Sequence, residues 1–252
     1  MKTRYCAVLM MALIALLLTG MPLYASRVDG NIEASVQKSY VFKTYLSGDE
    51  IKIQSRDGAV TLTGMVADQL HKSLAYETVT GIPGVKSVHN MLVLKDASPT
   101  TNSDDWISAQ AKGTLLFHRS VRADKTEISV KDGIVTLRGV AASQAQKELT
   151  TTYAGDVEGV KEVRNEMTVA MPLKTAKKAP GKSMDDASIT AQVRMSLLFH
   201  RSTSAINTRV ETTKAVVTIN GKAQNAAEKK LVTRLVNDIH GVKKVNNRMT
   251  VE

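Results

Sequence analysis

The chain has 252 residues, a formal charge of +10, and 43% hydrophobic and 23% charged residues. That balance suits a globular protein of one or two domains. Aromatic residues make up only 4%, a thin supply for base-stacking platforms or large aromatic-lined pockets, and the single cysteine, Cys6, excludes an intramolecular disulfide, a cysteine-ligated zinc site and an iron–sulfur cluster.

Residues 1–25 read as a secretory signal peptide. Lys2 and Arg4 open it, Ala7 to Leu18 form an apolar run, Gly20 and Pro22 break the run, and Ala25 can precede the cut. The run is shorter than the ~20 residues that a membrane-spanning helix needs. Its removal leaves a cysteine-free chain of net charge +8, as suits a bacterial periplasm.

The remainder repeats itself three times. DGAVTLTG at 57–64 returns as DGIVTLRG at 132–139 and KAVVTING at 214–221. IPGVKSVHNMLV at 82–93 returns as VEGVKEVRNEMTV at 157–169 and IHGVKKVNNRMTV at 239–251. The spacing from first to second glycine is 20 residues in every copy, and the copies are offset by 75 and then 82 residues. Constant spacing between two matching blocks marks a structural repeat. The extra residues of the second offset fall in a Pro- and Lys-rich linker, 172–184.

Within each copy the elements follow in order. Ile32, Val36 and Tyr40 correspond to Ile107, Ala111 and Leu115 and to Ile189, Val193 and Leu197, a spacing of four that predicts a helix with one buried stripe. A strand follows around Ile53, Ile128 and Val210. Asp57-Gly58 and Asp132-Gly133 then predict a tight turn into a second strand. Copy three has Lys214-Ala215 there, and alanine resists positive φ, so its turn must differ or be strained. Asp68, Ser143 and Asn225 are N-cap residues for a second helix. Leu74, Leu149 and Leu231 share that helix's buried face, and Gly84, Gly159 and Gly241 are its left-handed terminators. A final strand after this helical crossover is placed to pair in parallel. The expectation is an α+β protein of three tandem α-β-β-α-β domains, over 30–96, 103–171 and 185–252.

This order, with its (D)G-V-x-L-x-G and G-V-x-x-V-x-N blocks, resembles the BON domain. The resemblance implies a three-stranded mixed sheet packed on two helices in each domain. It also implies a periplasmic protein linked to envelope or osmotic stress, with phospholipid binding in some members, chaperone activity proposed for others, and no shared catalytic residue.

The residues offer no enzyme of their own. The five histidines have no metal-binding spacing, and there is no nucleophile elbow or glycine-rich phosphate loop, so no catalytic, metal or cofactor site is expected. Acids such as Asp104, Asp105, Asp185 and Asp186 sit at helix starts, where they satisfy free N–H groups.

Two features remain. TLLFHRS at 114–120 returns as SLLFHRS at 196–202, more identity than a buried helix end requires. Leu116, His118 and Arg119, with Leu198, His200 and Arg201, are therefore candidates for a surface that meets lipid headgroups or a partner, the plainer reading being helix C-terminal cations against the dipole. Charge is also uneven. Copy three carries eleven Lys/Arg against six acids, while copies one and two are near neutral. Its Lys222, Lys229, Lys230, Arg234, Lys243 and Lys244 cluster on and around the second helix. The expected function is peripheral, non-enzymatic binding to anionic phospholipid membranes. The alternatives are a periplasmic stress chaperone that holds unfolded or outer-membrane proteins, and an envelope adaptor for a protein or glycan. Export and the shortage of aromatics argue against nucleic acid.

Overall fold

The computed structural model describes residues 21–95, 100–170, 183–203 and 208–251. Most of the expected leader (1–20) and of the linker (171–182) lies outside the described residues.

Copy one comprises α1 (Met21–Lys38), α2 (Tyr40–Thr44), β1 (Glu50–Arg56), β2 (Ala59–Val66), α3 (Gln69–Thr80) and β3 (Ser87–Leu94). Copy two comprises α4 (Asp104–Phe117), β4 (Thr126–Lys131), β5 (Ile134–Ala141), α5 (Gln144–Gly155), β6 (Glu162–Asn165) and β7 (Thr168–Val169). Copy three comprises α6 (Asp186–Phe199), β8 (Thr208–Thr213), β9 (Val216–Ala223), α7 (Ala226–Asn237), β10 (Lys244–Asn247) and β11 (Thr250–Val251).

The first two strands of each copy pair antiparallel, with Ile53 opposite Leu62, Ile128 opposite Leu137 and Val210 opposite Ile219. The last strand pairs in parallel with the middle one. It is continuous in copy one and interrupted for two residues in copies two and three. In all three, an asparagine ties it to the second helix. Asn165 Nδ2 donates to Lys147 O at 2.9 Å and Thr151 Oγ1 at 2.7 Å, Asn247 repeats both bonds with Lys229 and Thr233, and Asn90 reaches Lys72 O at 3.2 Å.

The first-helix stripe is buried at eight of its nine positions: Ile32, Val36, Ile107, Ala111, Leu115, Ile189, Val193 and Leu197 are each at most 2% exposed, whereas in copy one the helix breaks at Ser39, which caps α2, and Tyr40 is half-buried. The second-helix caps form too, Asp68, Ser143 and Asn225 accepting from the N–H three residues on. Two further expectations change. Leu149 is exposed, and the positions buried in every copy are Ala75, Thr150 and Val232 with their neighbours one turn on. Gly84, Gly159 and Gly241 do have φ of 94°, 81° and 83°, but three residues beyond the helix caps Gly81, Asp156 and Asp238. They allow close approach to the first helix instead: a Cβ on Gly159 would lie 3.2 Å from Ile107, and one on Gly241 3.1 Å from Ile189.

Of the acids at the helix starts, Asp185 does cap its own helix, accepting from Ser188 N at 2.9 Å, but α4 is capped by Ser103, and Asp104 and Asp186 serve a different purpose. Asp104 accepts both turn amides of copy two, from Asp132 N at 2.7 Å and Gly133 N at 2.8 Å. Asp29 and Asp186 do the same in copies one and three. In copy three this clamp holds Lys214 and Ala215 at φ of 52° and 64°, so the same tight turn is kept and is strained. Buried side chains of all three copies join in one apolar cluster.

Candidate functional site: a clasp between repeats and a basic groove

The repeated Phe-His-Arg-Ser segment ends the first helix of copies two and three, and each segment lies against the other copy. His240 N donates to Phe117 O at 2.9 Å, and Glu158 N donates to Phe199 O at 3.3 Å. Arg119 N donates to Asp238 O at 2.9 Å, and Arg201 N donates to Asp156 O at 3.0 Å. His118 pairs antiparallel with Ile239, and His200 with Val157. Each of these backbone contacts is answered by its equivalent in the other direction, the pattern of a two-fold interface built within one chain.

Side chains deepen the clasp. His118 Nδ1 and His200 Nε2 lie 3.4 Å from Asp238 and Asp156 of the opposite copy. The His118 ring stacks on Tyr153, centroids 4.1 Å apart, and its Nε2 is 3.1 Å from Ser196 Oγ. Tyr153 and Ser120 hydroxyls donate to Asp238. Burial pushes the Asp238 carboxyl up, but the His118 imidazole and the Ser120 and Tyr153 hydroxyls outweigh it and hold it below the usual carboxylate range. The neighbouring His200 imidazole holds Asp156 low as well. Burial pushes the Tyr153 phenol up.

His118 (1% exposed) and His200 (7%) are thus buried between copies rather than presented to solvent. Arg119 is half exposed, but its guanidinium donates to Asn237 O at the end of α7 and to Val242 O in the loop that follows. The helix terminus it meets belongs to another copy, not to its own helix. Leu116 is half-buried against the core, whereas Arg201 and Leu198 are exposed.

The copy-three cations divide. Lys230, Arg234, Lys243 and Lys244 line one groove between α7 and β10, over Leu231 and Val245. Their spacing explains this: 230 and 234 share a helix face, and 243–244 is where β10 begins beside it. Lys229 and Lys222 fall outside this groove, Lys222 opposite Thr250 on β9. Leu198 lines a different pocket, away from these four cations. Among the described residues, no group of three or more His, Cys, Asp or Glu side chains is placed to hold a metal, and no helix is long and apolar enough to cross a membrane.

The triple α-β-β-α-β pattern is matched by the family model of the BON domain over residues 28–96, 103–171 and 185–252. The chain belongs to the BON-domain family. Among BON relatives, it is 29% identical over 143 residues to the osmotically-inducible protein Y of Escherichia coli, covering 55% of this chain and 71% of that one. It is 26% identical over 147 residues to the outer membrane lipoprotein DolP of Haemophilus influenzae, covering 58% and 74%. A solved structure of CdsD, a structural protein of the type III secretion system of Chlamydia trachomatis, aligns over 88% of this chain and 90% of that one at 16% identity, with a TM-score of 0.24.

Tyr153, Asp156 and Asp238 escaped the sequence reading. The available signal was the alignment of Asp156 and Asp238 with each other and with Gly81, beside the repeated histidines.

Proposed function

We propose that this BON-family chain is a non-enzymatic protein of the bacterial envelope that docks on anionic phospholipid surfaces. The observation that carries this reading is the groove in which Lys230, Arg234, Lys243 and Lys244 stand over an apolar floor of Leu231 and Val245. Cations there meet headgroup phosphates, and the floor accepts the glycerol and upper acyl region. Each cation near an anionic surface contributes about 1 kcal/mol, so four give weak, reversible, salt-sensitive attachment. The export leader expected at 1–25 would deliver the chain to the periplasm, and the names of two relatives, one osmotically inducible and one an outer membrane lipoprotein, support an envelope setting.

The test is flotation of the chain with phosphatidylglycerol-containing and with neutral vesicles, at low and high salt. Flotation is expected only with the anionic vesicles and low salt, and it should be lost when Lys230, Arg234, Lys243 and Lys244 are changed together to Gln. Unchanged flotation of that variant, or none of the parent at low salt, overturns the reading.

A chaperone reading draws on a different observation. Copy one exposes Met65, Met91 (64%) and Val93 (61%) on one face of its sheet, where Met65 lies opposite Val93. Flexible, apolar methionines suit promiscuous contact with unfolded chains. Suppression of client aggregation that survives high salt and fails in Met91→Glu would favour it.

A further inference from the structure

The three copies meet at a pocket of about 320 Å³ that belongs to no copy alone. Copy one supplies Leu70 from α3. Copy two supplies Trp106 and Gln110 from α4 and Glu158 from the turn after α5. Copy three supplies Leu198 and Phe199 from the end of α6.

Two of its lining residues, Leu70 and Phe199, also converge on one small residue. A Cβ on Gly113 of α4 would lie 2.9 and 3.0 Å from the Leu70 methyls and 3.1 Å from the Phe199 ring. Copies one and three have Lys38 and Met195 at that position. The bare backbone of copy two leaves room there for Leu70 and Phe199 to approach together. The clasp then fixes the mouth, since Glu158 N donates to Phe199 O.

The lining has a definite chemistry. Two aromatic rings and two leucines make it apolar. Gln69, Ser73 and the 7%-exposed Gln110 add neutral polar groups to the lining. Among the described residues lining the pocket, Glu158 carries the only charge. A small-molecule site of this kind has an apolar body and few polar groups, and it favours domain junctions. An anion would meet Glu158 with no compensating cation. A neutral apolar molecule would leave the carboxylate unused, and a bare metal ion would find one carboxylate and no further anionic ligand. An organic cation matches this composition: its apolar body suits Leu70, Leu198 and the aromatic residues Trp106 and Phe199, which also favour a cation, and its charge is opposite to that of Glu158.

We infer that this three-copy pocket binds a small organic cation of the alkylammonium class. The charge it selects is opposite to that favoured by the basic groove, so this site is independent of the lipid-docking reading.

Trp106 is the only tryptophan in the chain, so its emission reports on the pocket directly. The whole chain is titrated with hexyltrimethylammonium, with hexanol and with hexanoate at fixed ionic strength. The cation should give a saturable change in emission at an affinity about fivefold or more above hexanol, the gain of one exposed charge contact, and hexanoate should bind more weakly than either. Glu158→Gln should bring the cation down to the level of hexanol and leave hexanol unchanged. Ala109→Leu, which fills the pocket from α4, should abolish all three responses with the cooperative unfolding transition retained. Equal affinity for cation and hexanol, no saturable change, or a response that survives Ala109→Leu overturns the inference. Vesicle flotation of both variants should match the parent, which separates failure here from failure of the lipid groove.

Discussion

Copies two and three hold each other by residues that copy one lacks. Where they have Asp156-Val157-Glu158 and Asp238-Ile239-His240, copy one has Gly81-Ile82-Pro83. Gly81 has no carboxylate to face a histidine, and Pro83 has no N–H to offer a phenylalanine carbonyl. Copy one docks differently. Tyr40 N donates to Asp185 Oδ2 at 2.7 Å, Val41 N to Ser188 Oγ at 3.1 Å, and Arg194 pairs with Glu77 at 2.9 Å. The missing side chain at Gly81 is then an advantage, because a Cβ there would press on Ala187 of copy three at 3.2 Å. A repeated fold therefore does not impose a repeated interface. One turn after the second helix selects which neighbour each copy takes.

The comparison breaks most sharply at Asp238. Its carboxylate accepts from Ser120 and Tyr153 and faces the buried His118. Asp238→Ala leaves the Tyr153 and Ser120 hydroxyls without their acceptor and removes the charge that faces the buried imidazole, so a loss of about 2–4 kcal/mol is expected in denaturant unfolding. Lys43→Ala in copy one, at the place equivalent to His118, should fall within about 0.5 kcal/mol, as an exposed substitution does. Equal losses would show that the clasp adds nothing specific.

Acid offers a second lever on the same contact. Asp238 and Asp156 have folded pKa values held below the ordinary carboxylate value. A carboxylate lowered on folding stabilises fully above its unfolded pKa and loses that contribution as pH falls through the folded value. The clasp should therefore weaken below about pH 4. Protection of the Arg119 and His240 amides, followed by hydrogen exchange, should drop there. Asp238→Asn should flatten the acid limb.

The reach of the sequence follows from which interactions are local. The first-helix stripe and the caps at Asp68, Ser143 and Asn225 were legible because their partners lie within one helical turn. The Asp104 and Asp186 clamps were not, since each amide they hold lies 28 or 29 residues on. The identity of the two Phe-His-Arg-Ser segments signalled a constraint, but periodicity within a copy says nothing of a partner more than a hundred residues away. The alignment of His240 with Glu158 and Pro83 carries the contrast that selects the interface, since two of those residues have an N–H and the third has none, but nothing local to the turn says which carbonyl those N–H groups meet. The four grooved cations were legible as a cluster; their separation from Lys222, Lys229 and Leu198 required the register of β10 beside α7.

A smaller effect sharpens the contrast inside the copies. Asn165 makes two bonds from its amide to α5, while Asn90 makes one longer bond to α3, where Tyr76 replaces the threonine. Asn165→Ala should cost about 1–2 kcal/mol and Asn90→Ala less than about 1, by the usual net worth of a hydrogen bond. Thermal unfolding of the two single variants compares them directly, and the reverse order would show that the third strand is held by its ladder alone.

The smallest expected change is at Ala215, in the last of three hairpin turns that share one backbone shape with different residues. Copies one and two place glycine at the second turn position, with φ of 83° and 81°, and copy three places Ala215 there at 64°. A left-handed residue with a Cβ costs about 1–2 kcal/mol, and Asp186 holds the turn in spite of it. Ala215→Gly should therefore raise stability by a few tenths to about 1 kcal/mol, part of the relief being offset by the lost methyl and the freer unfolded chain. The reverse change separates the other two copies. Gly133→Ala puts a Cβ 3.2 Å from the Lys161 stem, a side chain that can shift, whereas Gly58→Ala puts one 2.8 Å from the Gly84 carbonyl oxygen, which cannot. Gly58→Ala should be the more damaging of the pair in equilibrium unfolding. Equal costs would mean that the left-handed backbone alone sets the penalty and that the clearance to the following loop plays no part.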